Sequence, residues 1–257
     1  MQINEDHKVE ASPPPHSIFE SLALHLLPGL VITVIYVAVA PLAIRYGIPL
    51  FLVILVLALF LLIPFELGWL LYHGKKRNSS LSLAGIVVYR KRIPIRQFIA
   101  YTVTLLAWVF FAAAILYRPI EKPIIETFFS WVPSIYLLDN FVERLEEYDR
   151  TILMITALTG VLLNGFAGPI VEEMYFRGYL MPRIPRVAGA WAPFLNSCLF
   201  SLYHFFTPWQ IPLRILAFTP LFYAVWWERN VYLAMVVHCT ANLAGMSMML
   251  ISILKVF

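Results

Sequence analysis

A chain of 257 residues that is 61% hydrophobic and 13% charged, with a mean hydropathy of +0.78, is not a soluble globular domain, in which about 25% of residues are charged. Its net charge of +4 is small and unevenly placed, which marks topology and argues against a nucleic-acid-binding face. What remains is an all-α fold, a polytopic transmembrane helix bundle.

In chain order, residues 1–21 read as a flexible polar tail, with Glu5, Asp6, Lys8, Glu10 and the run Pro13-Pro14-Pro15. No apolar signal-peptide core is expected there. Residues 22–257 read as a single bundle. Apolar spans are expected over residues 22–44 and 48–72, each long enough for the ~20 residues a crossing needs. Pro28, Pro41 and Pro64 should kink them. The stretch 74–96 carries Lys75, Lys76, Arg77, Arg90, Lys91, Arg92 and Arg96 without an acid. Positive loops stay in the cytoplasm, so this loop and the N-terminus are expected inside.

A third span is expected over 98–117, followed by a mixed stretch to residue 150. Within it Ile135, Leu138, Phe141, Val142 and Leu145 share a helical face while Glu143, Glu146 and Glu147 lie elsewhere, the pattern of an interfacial amphipathic helix. A fourth span covers 151–167, where Gly160, Gly165 and Gly168 would admit a close neighbour. Pro169 suits the first turn of a fifth helix. Further helices are expected over 189–206, 212–227 and 231–255, about eight in all, or seven if residues 151–181 form one broken span. With eight spans the C-terminus would lie inside and Arg183 and Arg186 outside, against the charge rule. Cys198 and Cys239 lack any CxxC spacing and read as buried thiols.

Ionisable groups within a span are costly, so they persist where they pair, line a wet cavity or do chemistry. Three such clusters fall on separate helices: Glu172-Glu173 with Arg177, Phe200 with His204, and His238 with Asn242. Glu173 and Arg177 are four apart and stack on one face as an ion pair. Glu172 points about 100° away, near an expected helix N-terminus whose dipole suits an anion. His238 and Asn242 share one face, and Phe200 places a ring beside His204. A carboxylate that activates water, an imidazole that holds the water or takes its proton, and donors for an oxyanion are what peptide hydrolysis requires. Glu172, His204 and His238 could alternatively hold zinc with water in the fourth position. No HExxH motif occurs, the only aspartates are Asp6, Asp139 and Asp149, and Gly245-Met246-Ser247 has no later histidine to make a serine nucleophile.

These clusters, in this order, resemble the CPBP family of intramembrane proteases, the CAAX prenyl protease 2 type, with its EExxxR, FxxxH and HxxxN patterns, over about residues 150–250. The resemblance implies an intramembrane endopeptidase that cleaves a membrane-associated or lipidated, CAAX-like substrate with glutamate-activated water and no obligatory cofactor. It implies Glu172 as the water-activating carboxylate, His204 as its partner, and His238 with Asn242 as oxyanion support. Glu173, Arg177 and Phe200 would be supporting residues. Membrane lipid and a peptide or lipidated protein are the implied partners, and the short loops fit a prokaryotic plasma-membrane protein. Two other functions compete: a non-catalytic bacteriocin-immunity or scaffold protein of the same family, and a proton-coupled carrier, for which no internal repeat is evident.

Overall fold

A computed structural model describes residues 13–256; Glu5, Asp6, Lys8 and Glu10 of the expected tail lie outside them. Among the described residues the chain is helical and has no strand. Seven rods make the bundle. Five are long and apolar enough to cross a membrane: α1 (Ile18–Arg45), α2 (Leu50–Asn78), α3 (Ile95–Phe128), α4 (Arg150–Arg183) and α7 (Val231–Val256). Between α4 and α7 lie the shorter α5 (Ala192–Tyr203) and α6 (Ile211–Glu228). A 3-10 segment, Leu138–Glu147, lies in the connection from α3 to α4.

The helix α1 starts at Ile18, inside the stretch read as tail, because the Ser17 hydroxyl caps it by accepting from the Glu20 backbone N–H at 3.1 Å. Residues 151–181 follow the seven-helix alternative. Instead of a new helix at Pro169, α4 runs unbroken from Arg150 to Arg183. The rod survives its prolines by widening. Its π-helical stretches, Gly160–Ala167 and Glu173–Leu180, each end two residues before a proline, Pro169 and Pro182. The same holds for Ala58–Leu62 before Pro64 in α2 and Ala112–Tyr117 before Pro119 in α3. Proline removes one N–H and crowds the carbonyl four residues back; a π turn moves that carbonyl aside while the helix continues.

The unbroken α4 also settles sidedness. Arg183 donates to the Ile86 carbonyl at 3.3 Å, and its own carbonyl accepts from His16 N–H at 2.7 Å. Lys91 N–H reaches the Arg229 carbonyl at 2.9 Å. The basic loop, the start of α1, Arg183 and the α6–α7 turn therefore share one face of the bundle, and the expected violation of the charge rule disappears. The helix α7 starts at this face and ends against Phe141, Leu145 and Leu153 at the other. The C-terminus thus lies opposite the basic loop, which corrects the expectation that both termini share a side.

The connecting segment buries Phe141 and Leu145 and exposes Glu143, Glu146 and Glu147, as the amphipathic pattern demands. It is 3-10 in form with a kink at Arg144, so Val142 is turned outward as well. Side chains such as Ile32, Tyr36, Leu70, Phe176, Val225 and Leu233 fill the core, while Phe60, Leu162 and Met248 face out, where lipid would meet them. Met246 and Leu243 of α7 fill the space a Cβ would need at Gly160 and Gly165. The close approach expected there is made, whereas Gly168 meets only its own helix.

Candidate active site

Three rods deliver the polar residues to one place. The middle of α4 carries Glu172, Glu173 and Arg177. The end of α5 carries Phe200 and, one residue past the helix, His204. The first half of α7 carries His238 and Asn242. A cavity of about 400 Å³ is lined by Glu172, His204, His238, Asn242, Asn164 and Arg214. Apolar side chains of α2 and α3 also line it, among them Phe51, Leu55, Ala58, Val109 and Phe110. A pocket of this size with a few polar groups on an apolar lining is the ordinary form of a small-ligand or substrate site.

The two adjacent glutamates have different surroundings. Glu173 is fully buried and meets Arg177, also fully buried, at 3.0 Å. The Arg177 guanidinium lies between two rings, 3.9 Å from the centre of Phe200 and 3.6 Å from that of Phe222, contacts that favour a cation over an aromatic face. The other Glu173 oxygen receives the His238 Nδ1 at 2.8 Å. Helical spacing assigned Glu173 only to Arg177; the partner on α7 is set by tertiary packing and has no signature at that spacing. With Nδ1–H held by the carboxylate, neutral His238 keeps an acceptor at Nε2, and only its protonated form has a second N–H to offer.

Glu172 makes no hydrogen bond or ion pair among the described residues and lines the cavity. The helix N-terminus expected just before it does not exist, since α4 begins at Arg150. It shares the cavity instead with the side chains of His204, His238, Asn242 and Arg214.

His204 donates from Nδ1 to the Phe200 carbonyl at 2.9 Å, which leaves Nε2 as an acceptor. The Phe200 ring stands edge-on to His204, with centroids 4.9 Å apart, and to His238 at 6.0 Å. One ring thus spaces both imidazoles and covers Arg177. Asn242 uses one amide hydrogen on the Asn164 carbonyl at 2.8 Å and retains a second. Among the described residues no three His, Cys, Asp or Glu side chains are grouped as a metal site would group them. Glu172, His204 and His238 share the cavity without forming such a set.

Several polar residues at or near this centre carry no family pattern. Arg214, on α6, is fixed by Thr207 and Gln210 through bonds of 2.8 and 2.6 Å and adds a positive charge to the cavity lining. Behind Phe176, the buried His25 and Asn196 bond each other at 3.0 Å. Glu66 on α2 is, with Glu173, one of two buried carboxylates among the described residues and is bonded to Tyr203. A lone acid inside the second apolar span was its available signal.

Residues 154–244 match the family model described as type II CAAX prenyl endopeptidase, Rce1-like. No curated protein and no solved structure matches the chain. The matched segment contains α5, α6, nearly all of α4 and the half of α7 that carries His238 and Asn242.

Proposed function

From the premise that residues 154–244 belong to the Rce1-like, type II CAAX prenyl endopeptidase family, a family of membrane proteases, we propose that this chain hydrolyses a peptide bond in a lipidated, CAAX-like substrate by means of glutamate-activated water. One observation carries the reading. Of two neighbouring carboxylates, Glu173 is neutralised by Arg177, while Glu172 has no such partner and faces a cavity it shares with two imidazoles.

In this mechanism a water lies between Glu172 and His204 Nε2. Glu172 accepts one proton as the water oxygen attacks the scissile carbonyl carbon, and His204 holds the other hydrogen and fixes the angle of attack. The carbonyl oxygen gains negative charge and is met by the remaining Asn242 amide hydrogen and by protonated His238, which Glu173 stabilises from behind. The proton on Glu172 then passes to the leaving amine, breaking the C–N bond and returning the carboxylate. The apolar lining from α2 and α3 suits the lipid chain, and the polar groups suit the peptide. No metal enters this scheme.

The test is cleavage of a farnesylated peptide ending in a CAAX sequence by the purified protein in proteoliposomes, read by release of the fragment beyond the modified cysteine. Cleavage should persist in chelator and vanish in Glu172→Gln with the protein still folded. Full activity in Glu172→Gln would overturn the assignment. Loss of activity on chelation, restored by zinc, would overturn the metal-free scheme.

A further inference from the structure

The first two rods lie outside the family match and are mostly apolar spanning sequence, with one fully buried acid between them. Glu66, in the middle of α2, is 1% exposed. An acid at that depth requires a partner or a task. Its partner is the hydroxyl of Tyr203, which donates to Glu66 Oε1 over 2.8 Å.

Tyr203 is the last residue of α5 and is fully buried. At 12 residues α5 is only about 18 Å long, against about 30 Å for a hydrocarbon core, so it ends within the bundle. His204, the next residue, leaves helical geometry at φ −83° and ψ 53°. A helix end frays unless it is held, and this one carries a residue whose nitrogen must be accurately placed.

Two of the contacts that hold it come from α1 and α2. A Cβ at Gly29 of α1 would collide with the Tyr203 carbonyl, so only glycine lets α1 lie directly against this backbone. From α2, Glu66 takes the Tyr203 hydroxyl. The Tyr203 ring in turn stands edge-on to His204 with centroids 5.0 Å apart. We propose that Glu66 is a positioning residue: by fixing the Tyr203 hydroxyl it sets where His204 presents Nε2 to the cavity. It touches neither substrate nor water, and the inference rests on the proteolytic reading only for its effect on turnover.

The experiment compares Glu66→Leu, Glu66→Gln, Tyr203→Phe and the Glu66→Leu/Tyr203→Phe double variant, reconstituted and assayed on the farnesylated peptide. Displacing a catalytic group by about 1 Å can lower turnover on the order of a hundredfold, and a loss of that kind in kcat, with KM unchanged, is expected for Glu66→Leu. Glu66→Gln keeps a carbonyl acceptor and should recover most of it. Tyr203→Phe, which removes only a hydroxyl, guards against misfolding of the leucine variant and should match its loss. The double variant should be no worse than either single change, since both break one interaction. Independently of turnover, ¹⁵N-histidine spectra in nanodiscs, assigned with His204→Gln, should show the His204 signals shifted by both single variants and the His238 signals unmoved. Unchanged kcat in a wild type that cleaves, additive losses, or unmoved His204 signals would each overturn the proposal. A wild type that fails to cleave counts against the proteolytic reading, and the histidine spectra then decide this one alone.

Discussion

Exchanging the neighbouring carboxylates for glutamine, Glu172→Gln and Glu173→Gln, should give opposite phenotypes from the same chemical change. Glu173 and Arg177 are both fully buried and 3.0 Å apart. Removing one partner of a buried ion pair costs about 3–5 kcal/mol, because the other charge is left uncompensated. The rings of Phe200 and Phe222 remain on Arg177 and soften that loss, while the bond to His238 falls from charge-assisted to neutral and adds to it. These corrections oppose each other, so a loss of about 3–5 kcal/mol is expected for Glu173→Gln. Glu172 supports no pair, and its replacement should change stability by no more than about 0.5 kcal/mol. Reversible unfolding in mixed micelles, followed by tryptophan fluorescence, measures both. The double variant Glu173→Gln/Arg177→Met removes both charges and puts an apolar chain between the two rings, so most of the stability should return. Activity should not return, because His238 remains without its anionic partner. If the double variant is as unstable as Glu173→Gln alone, the buried Arg177 charge is not the source of the cost. If Glu172→Gln is the unstable variant, the division of labour between the two glutamates is reversed.

Replacing Gly29 with alanine sets a methyl group against the Tyr203 carbonyl. A loss of about 1–3 kcal/mol from overpacking is expected in the same unfolding assay, together with lower turnover. Asp149 caps α4 by accepting from Thr151 N–H at 2.7 Å and Ile152 N–H at 3.3 Å, and these bonds hold its carboxyl below its ordinary range. A carboxyl with a depressed folded value contributes stability that is complete above its unfolded value and is lost as pH falls through the folded one. Asp149→Ala should therefore melt below wild type at neutral pH, and the two melting curves should converge below about pH 4. Sidedness is testable in a background without Cys198 and Cys239: single cysteines replacing Ser80 or Val187 should label from one face of sealed vesicles, and one replacing Lys255 from the other. Labelling of position 255 together with position 80 would contradict an unbroken α4.

The fold class and the meeting of Glu172, His204, His238 and Asn242 on one cavity were legible because lipid leaves a polar residue few options. A histidine or glutamate in a span must find water or another polar group, and within the C-terminal half the candidates were few enough to point at one another. Sidedness was not legible, because it depended on whether α4 breaks at Pro169. Residue counts describe a proline as a stop or a kink; they carry no sign of the π turn two residues before it that allows the rod to continue. The bond from His238 to Glu173 was hidden for a different reason. Spacing along one helix finds partners three or four residues apart, and these two are 65 apart and joined only by the packing of α7 on α4.

The same limit explains why α1 and α2 looked functionally silent. Their contribution to the end of α5 includes one residue without a side chain, Gly29, and one acid whose partner lies 137 residues away. Neither forms a motif, yet both bear on the end of α5, the shortest of the seven rods and the one that carries His204. The polar residues that line the cavity and are proposed to act in it come mainly from α4, α5 and α7. An isolated α5 of 12 residues would be marginal as a helix at all. Its order has to be imported from neighbours, and besides α6 the two earliest rods supply part of that anchoring. A fragment restricted to residues 154–244 would therefore retain every residue assigned to the chemistry and lack the contacts that hold His204 in place.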